Sequence, residues 1–250
     1  MLADETLDDI AGGRFQVLQK EAGYRFSLDA LLLAHFVRLG PAEAVLELGA
    51  GSGVVALLLA GRGQGAAITG LDIQAEMVEM ARRSVAINGL TASITMREGD
   101  VREIKNLFPA RSFDVVVANP PYRKVNSGRI NPLREKALAR HEILGTAADF
   151  LQAAAYVLKP VGRAFFIYPA TRMAELICSM RKTRLEPKRL RMVHSQASGP
   201  GKFVLLEGLR EGGEELEVMP PLYIYTAKGG YTEEMTGLFR ELSSPGAGGR

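Results

Sequence analysis

The sequence predicts an α/β fold: a mostly parallel sheet covered by helices on both faces. Three observations carry the prediction. From residue 28 onward helical and strand-like stretches alternate, the pattern that parallel strands with crossover helices produce. One apolar strand runs directly into a glycine-rich turn and then a helix. The chain has 250 residues, 47% of them hydrophobic, enough to bury the core of one ordinary domain.

Seven strand-like runs lie at residues 44–48, 67–71, 93–97, 113–118, 163–168, 189–193 and 203–209. Helical stretches fall between them at 53–61, 74–88, 146–158 and 170–182. The second carries Met77, Met80, Ala81, Val85 and Ile87 on one side and is followed by Gly89, a helix stop. Ahead of the first core strand, residues 28–39 read as another helix, with Ser27 or Asp29 able to accept hydrogen bonds from its free N–H groups. Residues 217–226 alternate around Pro220 and Pro221 and read as an edge strand or an extended arm. The last eight residues, 243–250, are rich in Gly, Ser and Pro, so a flexible tail is expected.

Composition excludes several classes. The single cysteine, Cys178, permits no intramolecular disulfide and no cysteine cluster for zinc, which fits a reducing, cytoplasmic setting. Residues 1–10 are acidic where a secretory signal would be basic and then apolar, and no apolar run reaches membrane-spanning length. His35, His141 and His194 form no metal-ligand pattern, so no metal is expected. The formal net charge of +3 argues only weakly for an anionic partner, and the distribution of charge has to carry that case.

Val45-Leu46-Glu47-Leu48-Gly49-Ala50-Gly51-Ser52-Gly53 reads as the strand, turn and helix start at which a nucleotide binds, or, taken by itself, as a purely structural strand-to-helix turn. Glycines allow a sharp turn and close backbone approach, and free N–H groups favour an anion. A dinucleotide fingerprint would need its third glycine at Val54, so pyrophosphate is disfavoured. Leu71-Asp72-Ile73 ends the next strand, where such folds place an acid for the ribose hydroxyls. Gly99-Asp100-Val101 follows the third and reads two ways: Asp100 accepts from an adenine amino group with Val101 against the ring, or it caps a helix over 102–107.

Asn119-Pro120-Pro121-Tyr122 follows the fourth strand, at the end that faces the ligand crevice. An amide or exocyclic amino nitrogen is a poor nucleophile because its lone pair is delocalised. Two acceptors, the Asn119 side-chain oxygen and the Pro120 carbonyl, would localise it, the prolines would stiffen the loop, and Tyr122 would stack on the flat target.

The glycine turn, Asp72 and Asp100 resemble, in order and spacing, the Rossmann-like class I methyltransferases. The resemblance covers about residues 44–209 and implies S-adenosylmethionine as cofactor and a seven-stranded sheet whose last hairpin is antiparallel. Residues 44–242 are then the methyltransferase domain and residues 1–43 a cap with its helix over the cofactor site. The Asn119 motif resembles that of amino-methyltransferases acting on adenine in DNA or RNA, guanine in ribosomal RNA, or glutamine in release factors. Tyr24-Arg25-Phe26-Ser27-Leu28-Asp29, Ala139-Arg140-His141-Glu142, Pro220-Pro221-Leu222-Tyr223-Ile224-Tyr225 and Tyr231-Thr232-Glu233-Glu234-Met235 are similar to the tRNA (adenine-N6) methyltransferases that modify an anticodon-loop adenine of a valine tRNA. This implies that Phe26 to Asp29 lies over the cofactor; Asp29 reads equally as a helix cap. One departure is residues 224–230, where relatives more usually carry an acidic turn.

Residues 123–140 carry Arg123, Lys124, Arg129, Arg134, Lys136 and Arg140 against Glu135 alone. Their position behind the motif suits phosphates flanking a target base, with tRNA as partner and Arg123, Lys124, Arg129 and Arg140 as its contacts. A second basic cluster, Arg181, Lys182, Arg184, Lys188, Arg189 and Arg191, reads as a solvated face. A glutamine-modifying enzyme should carry a separate helical substrate domain, for which residues 1–43 are too few. An inactive RNA-binding module should show an eroded glycine turn or motif, and both are intact.

Overall fold

The computed structural model describes residues 2–22, 25–62, 65–121 and 145–244. An antiparallel hairpin, β1 (Glu5–Ile10) and β2 (Phe15–Lys20), precedes helix α1 (Leu28–Phe36). The core then runs β3 (Ala44–Leu48), α2 (Val54–Ala60), β4 (Ala67–Asp72), α3 (Ala75–Ile87), β5 (Ile94–Glu98), α4 (Ile104–Leu107) and β6 (Phe113–Ala118). After the undescribed stretch come α5 (Ala147–Val157), β7 (Leu158–Pro169), α6 (Met173–Lys182), β8 (Leu185–His194) and β9 (Gly201–Arg210). The short strands β10 (Glu217–Val218) and β11 (Leu222–Tyr223) and helix α7 (Glu233–Ser243) close the described chain.

The sheet order is β10-β8-β9-β7-β6-β3-β4-β5, with β11 also on β8. The seven anticipated strands are all present, and β10 and β11 are two-residue additions along the β8 edge. Of the β8/β9 hairpin, β9 alone runs against the rest, since it is antiparallel to both β7 and β8. The edge breaks between β10 and β11 at Met219-Pro220-Pro221, where proline has no N–H to donate to a ladder. Strand order reverses between β3 and β6, which pair in parallel with Leu48 opposite Ala118. A crevice outside the carboxyl ends of β3 and β6 is where an open α/β sheet binds its ligand.

Alternation along the strands divides the core in two. Val45, Val115, Val117 and Phe165 face α1, α2, α3 and α7, whereas Leu46, Val116, Ala118 and Phe166 face α4, α5 and α6. Helix α5 begins with a capping box, in which the Thr146 N–H donates to Asp149 Oδ2 at 2.7 Å. Helix α3 ends at Ile87, with Asn88 as its C-cap and Gly89 following at φ +67°. Its Met80, Ala81 and Val85 are buried as expected, but Ile87 is 48% exposed. The hairpin takes the neighbouring side of the helix: the Leu18 N–H donates to Ser84 Oγ at 2.9 Å, and Asn88 bonds both backbone groups of Gln16.

Two elements were not anticipated. Helix α7 buries Met235, Leu238 and Leu242 behind a Thr232 cap, a spacing that was readable in the sequence. The hairpin folds back on Gly12 and Gly13 and is clamped by Arg83 to Glu5 at 2.6 and 2.8 Å, which holds that carboxyl down at about 2. Helix α1 ends at Phe36, before the expected residue 39, where Arg62 takes up the Ala34 carbonyl at 3.0 Å. Ser243, assigned to the tail, is the last residue of α7, because the helix continues its apolar stripe to Leu242; residues 245–250 lie outside the described residues. Among the described residues no helix is long and apolar enough to cross a membrane.

Candidate active site

Strand β3 delivers the glycine turn to the centre of the sheet. The N–H groups of Gly49 and Ala50 both donate to the Leu71 carbonyl, at 2.8 and 3.0 Å, stitching the turn to the end of β4. Gly49 has φ +71°, and a Cβ there would lie 3.1 Å from the Phe150 ring of α5. A side chain at this position would therefore strain the backbone and push α5 away. Gly51 has φ +53° and donates its N–H to Asp72 Oδ2 at 2.8 Å.

Asp72, the last residue of β4, also accepts the Gln74 N–H through Oδ1 at 2.9 Å and is 6% exposed. Burial raises its pKa, while the backbone donors oppose that shift. Each carboxylate oxygen has more than one acceptor site, so the group can hold the turn and still receive a hydroxyl. Ile73, half-buried, follows it at the rim.

Beneath the turn, Glu47 Oε2 accepts the Ala56 N–H in the first turn of α2 at 2.9 Å. Its pKa is pushed up to about 8, chiefly by burial, with the Ala56 donor opposing and the Asp72 charge adding. The folded protein thus keeps a proton that the unfolded chain releases near 4.5. Stability from this residue is complete below pH 4.5 and is lost as pH rises through about 8. We expect Glu47→Gln to melt with a smaller decline between pH 5 and 8.5 than the unsubstituted protein, measured by thermal denaturation in both buffers without cofactor.

At the end of β5, Asp100 caps a 3-10 turn over Val101–Glu103 by accepting the Arg102 N–H at 2.8 Å. It also pairs with the Arg102 guanidinium, Nε lying 2.9 Å from both oxygens, and that pairing lowers its pKa. Of the two sequence readings, the cap is present in the geometry. Val101 is buried among Leu71, Ile104 and Phe150.

Asn119 follows β6 directly. Because Ala118 stands opposite Leu48, Asn119 and Gly49 are the residues that leave the paired ends of β6 and β3. Asn119 is half-buried, Pro120 buried and Pro121 half-buried. The Asn119 Nδ2 donates to Asp29 Oδ2 at 3.0 Å. Asp29 belongs to α1, is 3% exposed, and through Oδ1 accepts the Ala30 N–H at 2.9 Å and the Ser27 hydroxyl. Ser27 therefore donates to Asp29 instead of capping the helix. Phe26, half-buried, is set by its N–H donating to Gln19 Oε1 on β2 at 2.8 Å. Gln19 and the Asp29–Asn119 bond were not foreseen: the first lies on the missed hairpin, and the second joins residues 90 positions apart.

Tyr122, Arg123, Lys124, Arg129 and Arg140 lie outside the described residues. In the second basic cluster Arg181 pairs with Glu186 and Glu214, Arg189 with Glu207 and Arg191 with Glu234. Much of its charge is thus offset by neighbouring acids. His35 contacts Glu241 and His194 the Gly199 carbonyl, and no metal-holding group of His, Cys, Asp and Glu occurs among the described residues.

A glycine turn closing β3, an acid closing β4 and an Asn-Pro-Pro hook closing β6, on this strand order, define a class I methyltransferase, the class built around S-adenosylmethionine. The methyltransferase-domain family profile matches residues 39–217. A tRNA1(Val) (adenine(37)-N6)-methyltransferase of Porphyromonas gingivalis is 30% identical over 88% of this chain and 89% of its own. One of Vibrio campbellii is 28% identical over 92% of each. A crystal structure of a predicted O-methyltransferase from Agrobacterium tumefaciens superposes with a TM-score of 0.71 at 22% identity, over 87% of this chain and 98% of that one. The chain belongs to the methyltransferase-domain family and, within it, to the tRNA1(Val) (adenine-N6)-methyltransferases.

Proposed function

We propose that this protein transfers the methyl group of S-adenosylmethionine to N6 of an anticodon-loop adenine in a valine-type tRNA, in the cytoplasm. The observation that carries the reading is the place of Asn119: directly after β6, whose Ala118 pairs with the Leu48 that precedes the glycine turn, at the switch between β3 and β6. The names of the relatives supply the substrate class.

In this reading residues 44–242 are the catalytic domain and residues 1–43 cap its cofactor side, bringing Phe26 over the ligand. The turn from Glu47 to Gly53 receives the cofactor's amino-acid end, Asp72 accepts the ribose hydroxyls with Ile73 alongside, and Asp100 and Val101 border the adenine. The bound cofactor supplies a methyl group on a sulfonium, already a good leaving group. Asn119 Oδ1 and the Pro120 carbonyl each accept one N–H of the target amino group, turning its lone pair toward the methyl carbon. Transfer of that methyl group would release the cofactor as a neutral thioether and one N–H proton of the amino group to solvent, while Asn119 and Pro120 hold the nitrogen in place. Tyr122 stacks on the base, and Arg123, Lys124, Arg129 and Arg140 meet the flanking phosphates.

Labelled S-adenosylmethionine incubated separately with total tRNA, protein extract and DNA tests the proposal. Label in tRNA, recovered as N6-methyladenosine on nuclease digestion, is the expected result. Label in protein glutamine or ribosomal guanine alone would overturn it. Charge reversal at Arg123 and Lys124 is expected to weaken tRNA binding and to reduce the slope of log affinity against log salt by about two, one per lost phosphate contact. An unchanged slope in a filter-binding titration would remove these residues from the RNA interface.

A further inference from the structure

We infer that Asp29 is a positioning residue: it fixes which end of the Asn119 carboxamide faces the target nitrogen. The inference rests on the proposed transfer to an amino group and adds the device that makes Asn119 competent for it.

A carboxamide is nearly symmetric in shape but opposite in chemistry at its two ends. Rotating it by half a turn exchanges an acceptor for a donor with little change in packing. For an amino-group target the difference is decisive, since a flipped Asn119 would present N–H to N–H.

Asp29 breaks the degeneracy. A carboxylate only accepts, so the end of Asn119 that meets Oδ2, at 3.0 Å, has to be the nitrogen. The oxygen thereby takes the other corner of the planar amide, pointing away from Asp29. The carboxylate itself is held from its far side, with the Ala30 N–H at 2.9 Å and the Ser27 hydroxyl both donating to Oδ1. Its backbone is anchored by Leu31, Leu32, Leu33 and Phe36, all buried on the same short helix. At 3% exposure, water competes little for the bond. The Ala30 and Ser27 bonds both go to Oδ1, and Oδ2 is the atom that accepts from Asn119. A charge-assisted bond of this kind favours the productive orientation by about 10- to 100-fold.

The test is an exchange of donor and acceptor across the pair. In Asp29→Asn two carboxamides face each other and either end of residue 119 can be satisfied. In Asn119→Asp two carboxylates face each other. The double exchange restores one N–H to oxygen bond in the reverse sense and again turns an oxygen toward the target. With labelled S-adenosylmethionine and total tRNA, Asp29→Asn is expected to lower kcat about 10- to 100-fold. Its cofactor Kd by calorimetry should stay within about 2-fold, because the group acts on Asn119 and not on the cofactor. The double exchange should exceed the product of the two single residual activities by at least about 10-fold.

An unchanged kcat in Asp29→Asn overturns the inference, as does a weakened cofactor Kd with kcat preserved, which would make Asp29 a cofactor ligand. A double exchange equal to the product of the singles overturns it too. Should Asp29→Asn not fold, the double exchange decides alone: folded by its melting curve but no more active than Asn119→Asp, it sinks the proposal. If the unsubstituted protein labels another nitrogen acceptor and not tRNA, the substrate reading falls and the same four proteins test Asp29 on that acceptor. If it labels nothing, both fall.

Discussion

Asn119→Ala is expected to lower kcat for tRNA methylation by about 10³-fold while leaving the Kd for S-adenosylmethionine within about 2-fold, the range seen when one preorganised polar partner of a transition state is removed. In the proposed role the substitution would delete the acceptor that localises the target lone pair, and it also removes the donor now 3.0 Å from Asp29 Oδ2. The cost falls on kcat because charge develops on the target nitrogen only during transfer, so the lost contact is stronger in the transition state than in the bound complex. Single-turnover kinetics at saturating enzyme, with cofactor binding measured by calorimetry on the same preparation, separates the two effects. Unchanged turnover would remove Asn119 from the chemistry. A parallel loss of cofactor affinity would move it to the cofactor site.

Asp72→Ala is expected to do the reverse, raising the Kd for S-adenosylmethionine by about 10²- to 10⁴-fold. Two hydroxyls that donate to one buried carboxylate each contribute about 1.5–3 kcal/mol. The alanine variant also leaves the Gly51 and Gln74 N–H groups without the acceptor that now stands at 2.8 and 2.9 Å, so the turn loosens as the ligand contact is lost. Asp72→Asn separates these contributions: it keeps the shape and one acceptor, and its Kd should fall between the two. If Asp72→Ala binds cofactor as well as the unsubstituted protein, the ribose assignment is wrong and Asp72 serves the turn alone.

Much of the fold was legible because its signals are local. The seven main strands, the helices between them, the Gly89 stop and the Thr146 helix start follow from apolar periodicity and a few capping or turn residues. The hairpin and α7 carried signals of the same kind, Gly12-Gly13 between two short runs and Met235, Leu238 and Leu242 behind Thr232. They lie outside the alternating strand-helix core, one before it and one after it. The broken edge at β10 and β11 was foreseeable from Pro220 and Pro221, but their parallel pairing with β8 was not.

The sequence by itself determined the order of chemistry along the chain: a glycine turn after the first core strand, an acid after the second, an Asn-Pro-Pro-Tyr hook after the fourth, each at a strand end where a parallel sheet exposes it. Tertiary structure decided what each side chain does with its second oxygen or nitrogen. Whether Asp100 caps a turn, whether Asp72 holds Gly51, and that Asp29 faces Asn119 from 90 residues away are matters of distance and direction across the sheet. Periodicity encodes which face a residue occupies, but a hydrogen bond needs two groups within about 3 Å and in line, and only packed elements from distant parts of the chain bring them there.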